Sequence, residues 1–235
     1  MSVHSAPMRR ESPARGGPAC FPCIVSKHYG AVAFTHSVRD VQRTHGSETF
    51  YTRKRTQAQA VPGPDPLTED EIQYLTERDS FYMATVSETG WPYVQFRGGP
   101  AGFLRVLDEH TIGWADFRGN LQYISTGNLI AGERVALILM DYAHRRRLKI
   151  FGRARIATTD EDPALVESLA DPSYDATVER AVLVTVEAFD WNCPQHITPR
   201  YTADDLEPHL APLRQQLAAL QAENEQLRQL TSGAG

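Results

Sequence analysis

Between Ser80 and Trp191 the chain breaks into short apolar runs separated by turn formers, and this restricts the possible folds more than any other feature. The runs are SFYMATV (80–86), WPYVQFR (91–97), GFLRVL (102–107), HTIGWA (110–115), RVALILM (134–140), RLKIFGRARIA (147–157) and AVLVTVEAFDW (181–191). Each is rich in β-branched or aromatic residues, the mark of a strand. SETG (87–90) reads as a hairpin turn, with Gly90 at the position that favours positive φ. Seven such strands with few helices among them predict a mainly β fold, a closed or nearly closed β-barrel with peripheral helices. RVALILM is apolar without a break, so burial of both its faces is expected. The outer face would then need a helix or a partner chain.

The flanks have other periods. LTEDEIQYLTERD (67–79) carries Thr68 and Glu71 in capping-box spacing before an apolar stripe, which predicts a helix over 68–78. DEDPALVESLA (160–170) reads as a helix with Pro163 in its first turn. Residues 1–28, rich in Ser, Pro, Ala, Gly and Arg, are expected to lack fixed structure. Residues 29–66 form a helical arm and linker. One helix is expected near Ser37–His45, stopped by Gly46, and VPGPDP (61–66) is the stiff connection. The main domain then spans 67–203.

In the tail, 204–230, Leu206, Leu210, Leu213, Leu217, Leu220, Asn224 and Leu227 alternate spacings of four and three. That is a heptad seam. It fits a dimeric coiled coil or an amphipathic helix docked on its own domain.

The net charge of −5 conceals an asymmetry. Residues 1–60 hold nine Lys and Arg against three Asp and Glu, and the remainder holds 15 against 26. A nucleic-acid binder is disfavoured, because the basic arm is not contiguous with the heptads as a basic-region zipper requires. The three cysteines, Cys20, Cys23 and Cys193, make one CxxC without a second pair, so neither zinc nor a disulfide framework is indicated. No apolar run is long enough to span a membrane and no signal-peptide core follows Arg9 and Arg10, so a cytoplasmic protein is expected.

Three segments could hold a ligand. TIGWADF runs into Arg118-Gly119-Asn120 and then LQYIST. With Asn120 as N-cap and Gly127-Asn128 as stop, the turn would aim backbone N–H groups at an anion, with Arg118 as a phosphate fork. Trp114 and Asp116, on the strand entering this turn, join the candidate set. In WPYVQFRGG, Gln95 and Arg97 share one strand face, and Gly98 leaves room beside them. An arginine there needs an anionic partner if it is buried. In DWNCPQHITPRY, Trp191, Asn192, Gln195, His196 and Arg200 cluster after the last strand. Trp191 could flank an aromatic ring, and Gln195 could pair with a heterocycle. Cys193 and His196 alone do not make a metal site. Each segment also has an ordinary reading: a plain turn, a solvent-facing arginine, and a structural C-terminal turn with Trp191 in the core.

Taken together, helix 68–78, SFYMATVSETGWPYVQFRGG, TIGWADFRGN, RVALILM and RLKIFGRARI resemble the pyridoxamine 5′-phosphate oxidase family of FMN-binding split β-barrels. WNCPQHITPRYT and VAFTHSVRDVQRTHGS resemble a flavin-nucleotide-binding branch of that family. The resemblance covers roughly residues 30–205. It implies a homodimer with FMN at the subunit interface, and 67–203 as the flavin-binding domain. In the family, a strand arginine and a Ser-Arg-Lys turn hold the flavin phosphate. Here Phe117-Arg118-Gly119 keeps only Arg118, and Gln95 takes the strand position with Arg97 two residues on. The family's substrate-binding Arg-x-His is replaced by Gln195-His196 and then Arg200, so vitamin B6 oxidation is not implied.

The expectation is an FMN-dependent oxidoreductase of unknown substrate, with Trp191, Gln195 and His196 on the flavin or substrate side and no evident catalytic acid or base. The alternatives are a non-catalytic flavin-binding sensor or interaction protein, and the same fold holding a deazaflavin or a haem with His196 or His144 as axial ligand.

Overall fold

The computed structural model describes residues 28–59, 63–191 and 193–232. The expectations for residues 1–27, with Cys20 and Cys23, for the start of the proline linker and for Asn192 lie outside the described residues. Among the described residues, no helix is long and apolar enough to cross a membrane.

Seven strands form one antiparallel sheet: β1 (Ser80–Val86), β2 (Pro92–Gly98), β3 (Arg105–Asp108), β4 (Thr111–Phe117), β5 (Arg134–Asp141), β6 (Arg146–Thr158) and β7 (Val178–Trp191). Their spatial order is β2-β1-β5-β6-β7-β4-β3. The β1–β2 hairpin turns at Gly90, whose φ of 83° suits a residue without a side chain. β3 is shorter than its apolar run suggested and carries a bulge between Val106 and Asp108.

The ladder does not close: β2 and β3 are its two edges among the described residues. The sheet is nonetheless strongly curled. Phe81 of β1 meets Trp114 of β4 edge-on with ring centroids 5.0 Å apart, although three strands separate β1 from β4 in the order. Met83, Leu137, Leu139, Leu148, Ile150, Val184 and Val186 fill the enclosed core and are essentially inaccessible. Each such side chain contributes about 1.5–3 kcal/mol by leaving water.

At the β6–β7 bulge, Gly152 lies so close to β7 that a Cβ there would stand 2.5 Å from Val184 Cγ1 and 2.6 Å from the Thr185 carbonyl oxygen. β5 departs from expectation. Its residues alternate between buried and partly exposed, so its outer face is not sealed among the described residues. Tyr82, Val94 and Phe96 continue that apolar outer face across β1 and β2.

The helices make the fold mixed α and β rather than mainly β. α1 (Tyr29–Ala33), α2 (His36–Thr44) and α3 (Glu48–Gln59) form the arm, three helices where one was expected. Gly46, at φ 74°, separates α2 from α3. Tyr29 stacks on Phe151 at 5.2 Å and its hydroxyl accepts from Lys149 Nζ at 2.7 Å, fixing the arm to β6. α4 (Glu69–Thr76) carries the expected capping box. The Thr68 N–H donates to Glu71 Oε2 at 3.0 Å, and Glu71 Oε1 accepts from the Trp191 indole at 2.5 Å. α6 (Pro163–Leu169) starts at Asp162, whose carboxylate accepts from Leu165 N–H.

α5 (Ile124–Ala131) begins later than the sequence suggested. Asn120 is not its N-cap: its Oδ1 accepts from Gln122 N–H at 3.2 Å in a tight turn. Gly127 and Asn128 lie inside the helix rather than ending it, and Asn128 is held by a buried bond to Thr85 Oγ1 at 2.9 Å. α7 (Ala203–Ser232) is a continuous helix with Pro208 and Pro212 within it. Its seam leucines are open to solvent, Leu213 at 58% and Leu220 at 62% exposure.

Candidate functional site

The sequence explains why charge collects at one end of the curled sheet. On β2, Tyr93, Gln95 and Arg97 alternate with outward Val94 and Phe96, so they face inward. On β4, Asp116 follows Trp114 by two and shares its interior face. On β7, Arg180 pairs directly with Asp116 across the ladder. The interior polar end of the sheet is thus built by three strands. The loop and first turn of α5 complete a small depression of about 40 Å³, lined by Gln95, Arg97, Asp116, Tyr123, Ser125 and Glu179 among others.

Asp116 is the hub. Its Oδ1 lies 3.2 Å from an Arg97 guanidinium nitrogen, and its Oδ2 lies 3.7 Å from Arg180 Nε. Burial pushes the Asp116 carboxyl above the ordinary aspartate range, and the attraction of Arg97 and Arg180 only partly opposes this. Glu179 pairs with Arg180, accepts from the Tyr123 hydroxyl at 3.1 Å and lies 3.8 Å from Arg118 Nε. Arg180 also sits over the Tyr123 ring at 5.0 Å. Ser125 Oγ donates to Gln95 Oε1 at 3.0 Å.

Three guanidinium groups thus face two carboxylates, a net charge of +1 when all are ionised. Nε of Arg97 and Nε of Arg180 are both buried without a hydrogen-bond acceptor in the described structure. Two buried cationic donors with spare capacity suit an anionic oxygen, because an unmade bond of this kind costs about 1–3 kcal/mol. The donor set therefore fits a phosphate.

The loop carries strain. Leu121 and Tyr123 have φ of 62° and 50°, in the left-handed region that non-glycine residues rarely adopt. Such residues cost on the order of 1–3 kcal/mol each and persist where surrounding structure enforces them. Here the Tyr123–Glu179 bond and the Arg180 stack hold the conformation.

Of the residues singled out in the sequence, the structure brings Gln95, Arg97, Asp116 and Asn120 to this depression. Arg118 stands at its mouth, exposed, with its backbone N–H fixed to Thr177 O at 2.8 Å. Gly98 belongs to the end of β2 beside Asp79 and does not line the depression. Trp114 is a core residue packed on Phe81.

Trp191, Gln195 and His196 are not brought there within one chain. Trp191 ends β7, eleven residues along the strand from Arg180 and at the opposite end of it. It packs edge-on against Tyr74 at 4.7 Å, beneath the Arg146 guanidinium. Gln195 and His196 are exposed in the following turn, where His196 has a φ of 64°. His144, at another turn, is tied to Asp141 at 2.9 Å. Among the described residues no group of three or more His, Cys, Asp or Glu could hold a metal.

Sequence reasoning missed Tyr123, Ser125, Glu179 and Arg180. The available signal was the charged pair Glu179-Arg180 at the mouth of a long apolar strand, where a charge entering an interior face needs a reason.

The sequence model of one protein family, described as pyridoxamine 5′-phosphate oxidase, matches residues 68–188. No curated protein matches the chain. Among solved structures, HupZ of Group A Streptococcus is similar at 16% identity, over 57% of this chain and 100% of that one, with a TM-score of 0.43. A putative pyridoxamine 5′-phosphate oxidase from Lactobacillus delbrueckii is similar at 23% identity, over 53% and 93% of the two chains, with a TM-score of 0.41. An FMN-binding protein from Syntrophomonas wolfei is similar at 13% identity, over 52% and 84%, with a TM-score of 0.40.

Proposed function

The chain belongs to the pyridoxamine 5′-phosphate oxidase family, and from that premise we propose that it binds FMN and serves as a flavin-dependent oxidoreductase. The observation that carries this reading is the pair of buried Nε atoms of Arg97 and Arg180, without an acceptor among the described residues, at the inner end of β2 and β7. Arg97 and Arg180 would hold the phosphate, with Arg118 at the mouth and Ser125 Oγ as a neutral donor. This is a departure from the family's Ser-Arg-Lys turn, since Phe117-Arg118-Gly119 lacks both the serine and the lysine. Asp116 and Glu179 keep the arginines oriented before the ligand arrives, so little rotamer entropy would be lost on binding.

When bound, the flavin supplies the hydride or electron transfer. The protein's part is to place the ring and keep water from it. Vitamin B6 oxidation is not proposed, because the Arg-x-His expected for that substrate is absent from the segment 191–201.

The same reading includes a homodimer. The uncovered apolar face of β1, β2 and β5 supports it: Val94 is 60% exposed and Phe96 55%. Exposed apolar residues grouped on one sheet face are usual at subunit contacts. Pairing through this face would cover those side chains, with 67–203 as the flavin-binding domain. A second chain would also be the source of a Trp191 segment near the flavin ring, since one chain keeps its own Trp191 far from Arg97.

The test is direct titration of the purified protein with FMN and with riboflavin, followed by flavin fluorescence. Tight binding of FMN with clear preference over riboflavin is expected. Equal affinity for the two would remove the phosphate from the Arg97–Arg180 depression, and indifference to both would end the flavin reading.

A further inference from the structure

We infer that α7 is the strand of a parallel, two-stranded coiled coil formed with α7 of a second copy of this chain. Four seam leucines of α7 stay open to solvent: Leu213, Leu217, Leu220 and Leu227 are each more than half exposed. An isolated row of this kind is unfavourable in water, and the row has a definite geometry.

With Leu210, Leu217 and Asn224 at position a, position d is filled by Leu206, Leu213, Leu220 and Leu227. Pro208 and Pro212 then fall at f and c, on the side of the helix away from the seam. Each proline removes one backbone N–H from the helix ladder, yet neither obstructs a neighbour approaching the leucines.

The charges select the occupant and its direction. In a parallel pair, position g of one helix meets position e of the next heptad on the other. Glu223 is at g and Arg228 at e, five residues apart, so two copies in register form two opposite-charge pairs. Asn224 would face its own counterpart across the seam. An antiparallel pair would set a against d and leave Asn224 opposite leucine, with its amide unsatisfied. A row of leucines, one asparagine in register with itself and one charge pair that closes only between parallel copies fit a second copy of this chain. The inference does not depend on flavin binding.

Cysteine cross-linking of the full-length chain tests it. In a background with Cys20→Ser, Cys23→Ser and Cys193→Ser, Asn224→Cys places two thiols face to face, at a separation a disulfide can bridge. Ala222→Cys, at position f on the outer side, is the control. Under mild oxidation the disulfide-linked dimer is expected to form on the order of ten times faster at 224 than at 222, because pairing raises the local thiol concentration. Glu223→Arg should slow the reaction at 224, and adding Arg228→Glu to it should restore the rate. Circular dichroism checks that each variant keeps its helix. Equal rates at 222 and 224, or a rate at 224 that ignores both charge changes, would overturn the inference.

Discussion

Arg97 and Asp116 meet at 3.2 Å although four strands stand between β2 and β4 in the sheet order. The ion pair exists only because the sheet curls back on itself, and it ties the β2 edge to the strand beside the opposite edge. It also places a carboxylate where a ligand's phosphate would compete for the same guanidinium groups.

Replacing the carboxylate should therefore improve phosphate binding rather than abolish it. Asp116→Asn keeps the side-chain volume and removes the charge. FMN affinity is expected to rise by about 1–2 kcal/mol, while riboflavin affinity stays nearly constant. Isothermal titration with both ligands measures this. A parallel loss for both would mean that Asp116 shapes the depression instead of competing within it.

Acid should mimic that substitution. Burial, opposed by Arg97 and Arg180, holds the folded pKa of Asp116 above its ordinary value. The folded protein therefore takes up this proton before the unfolded chain does. The stability it brings is fully present below the unfolded pKa and is lost as pH rises through the raised folded pKa. Over that same interval the preference for FMN over riboflavin should increase as pH falls. The trend should vanish in Asp116→Asn, and fluorescence titration across the interval reads it.

Arg180 is expected to matter more than Arg118. Its guanidinium is oriented in advance by Tyr123, Glu179 and Asp116, whereas the Arg118 side chain is 58% exposed. Arg180→Met should cost FMN binding about 1.5–3 kcal/mol. Arg118→Ala should cost about 0.5–1 kcal/mol, with a clear dependence on salt. The reverse order would shift the phosphate toward the exposed turn.

Gly152→Ala should destabilise the fold without touching the depression. The added methyl would meet Val184 and the Thr185 carbonyl, both in the well-packed centre of β7. About 1–3 kcal/mol is expected from this overpacking, read as a lowered midpoint in urea with an unchanged slope. A midpoint equal to that of the parent would show that the bulge yields freely.

The start of α7 should fray in acid. Thr202 N–H donates to Asp205 Oδ2 at 2.8 Å, and Asp205 N–H donates to Thr202 Oγ1 at 3.1 Å. The Thr202 backbone N–H, and after it the Thr202 hydroxyl, hold the Asp205 carboxyl below its usual range. Its contribution is present above the unfolded pKa and lost as pH falls through the lowered folded pKa. Amide exchange at residues 203–206 should accelerate there in the parent. In Asp205→Asn exchange should already be faster at neutral pH and insensitive to this acid step.

What the sequence made visible depended on whether the cause was local. The strand at Ser80–Val86, the capping box of Thr68 and Glu71 and the Gly90 turn are set by nearest neighbours, and they stand where the pattern put them. The start of α5 is not local. Asn120 has the chemistry of a cap, but Tyr123 is pulled into the left-handed region by Glu179 and Arg180, more than fifty residues away, and the helix begins after it. Arg97 was legible as an arginine in need of an anion. That the anion is Asp116 follows only from the curl. Of the arm helices, α2 stands where Gly46 marked a stop, but α1 and α3 escaped notice because α3 has almost no apolar face and the contact of Tyr29 with Phe151 is a tertiary one.

The two marginal strands of the sheet present unpaired backbone, the surface on which a stranger's strand could nucleate a fibre. β2 opens with Pro92, which has no N–H to offer, and β3 is four residues long with its register broken after Val106. Growth by stacking ribbon upon ribbon is thereby blunted at both margins.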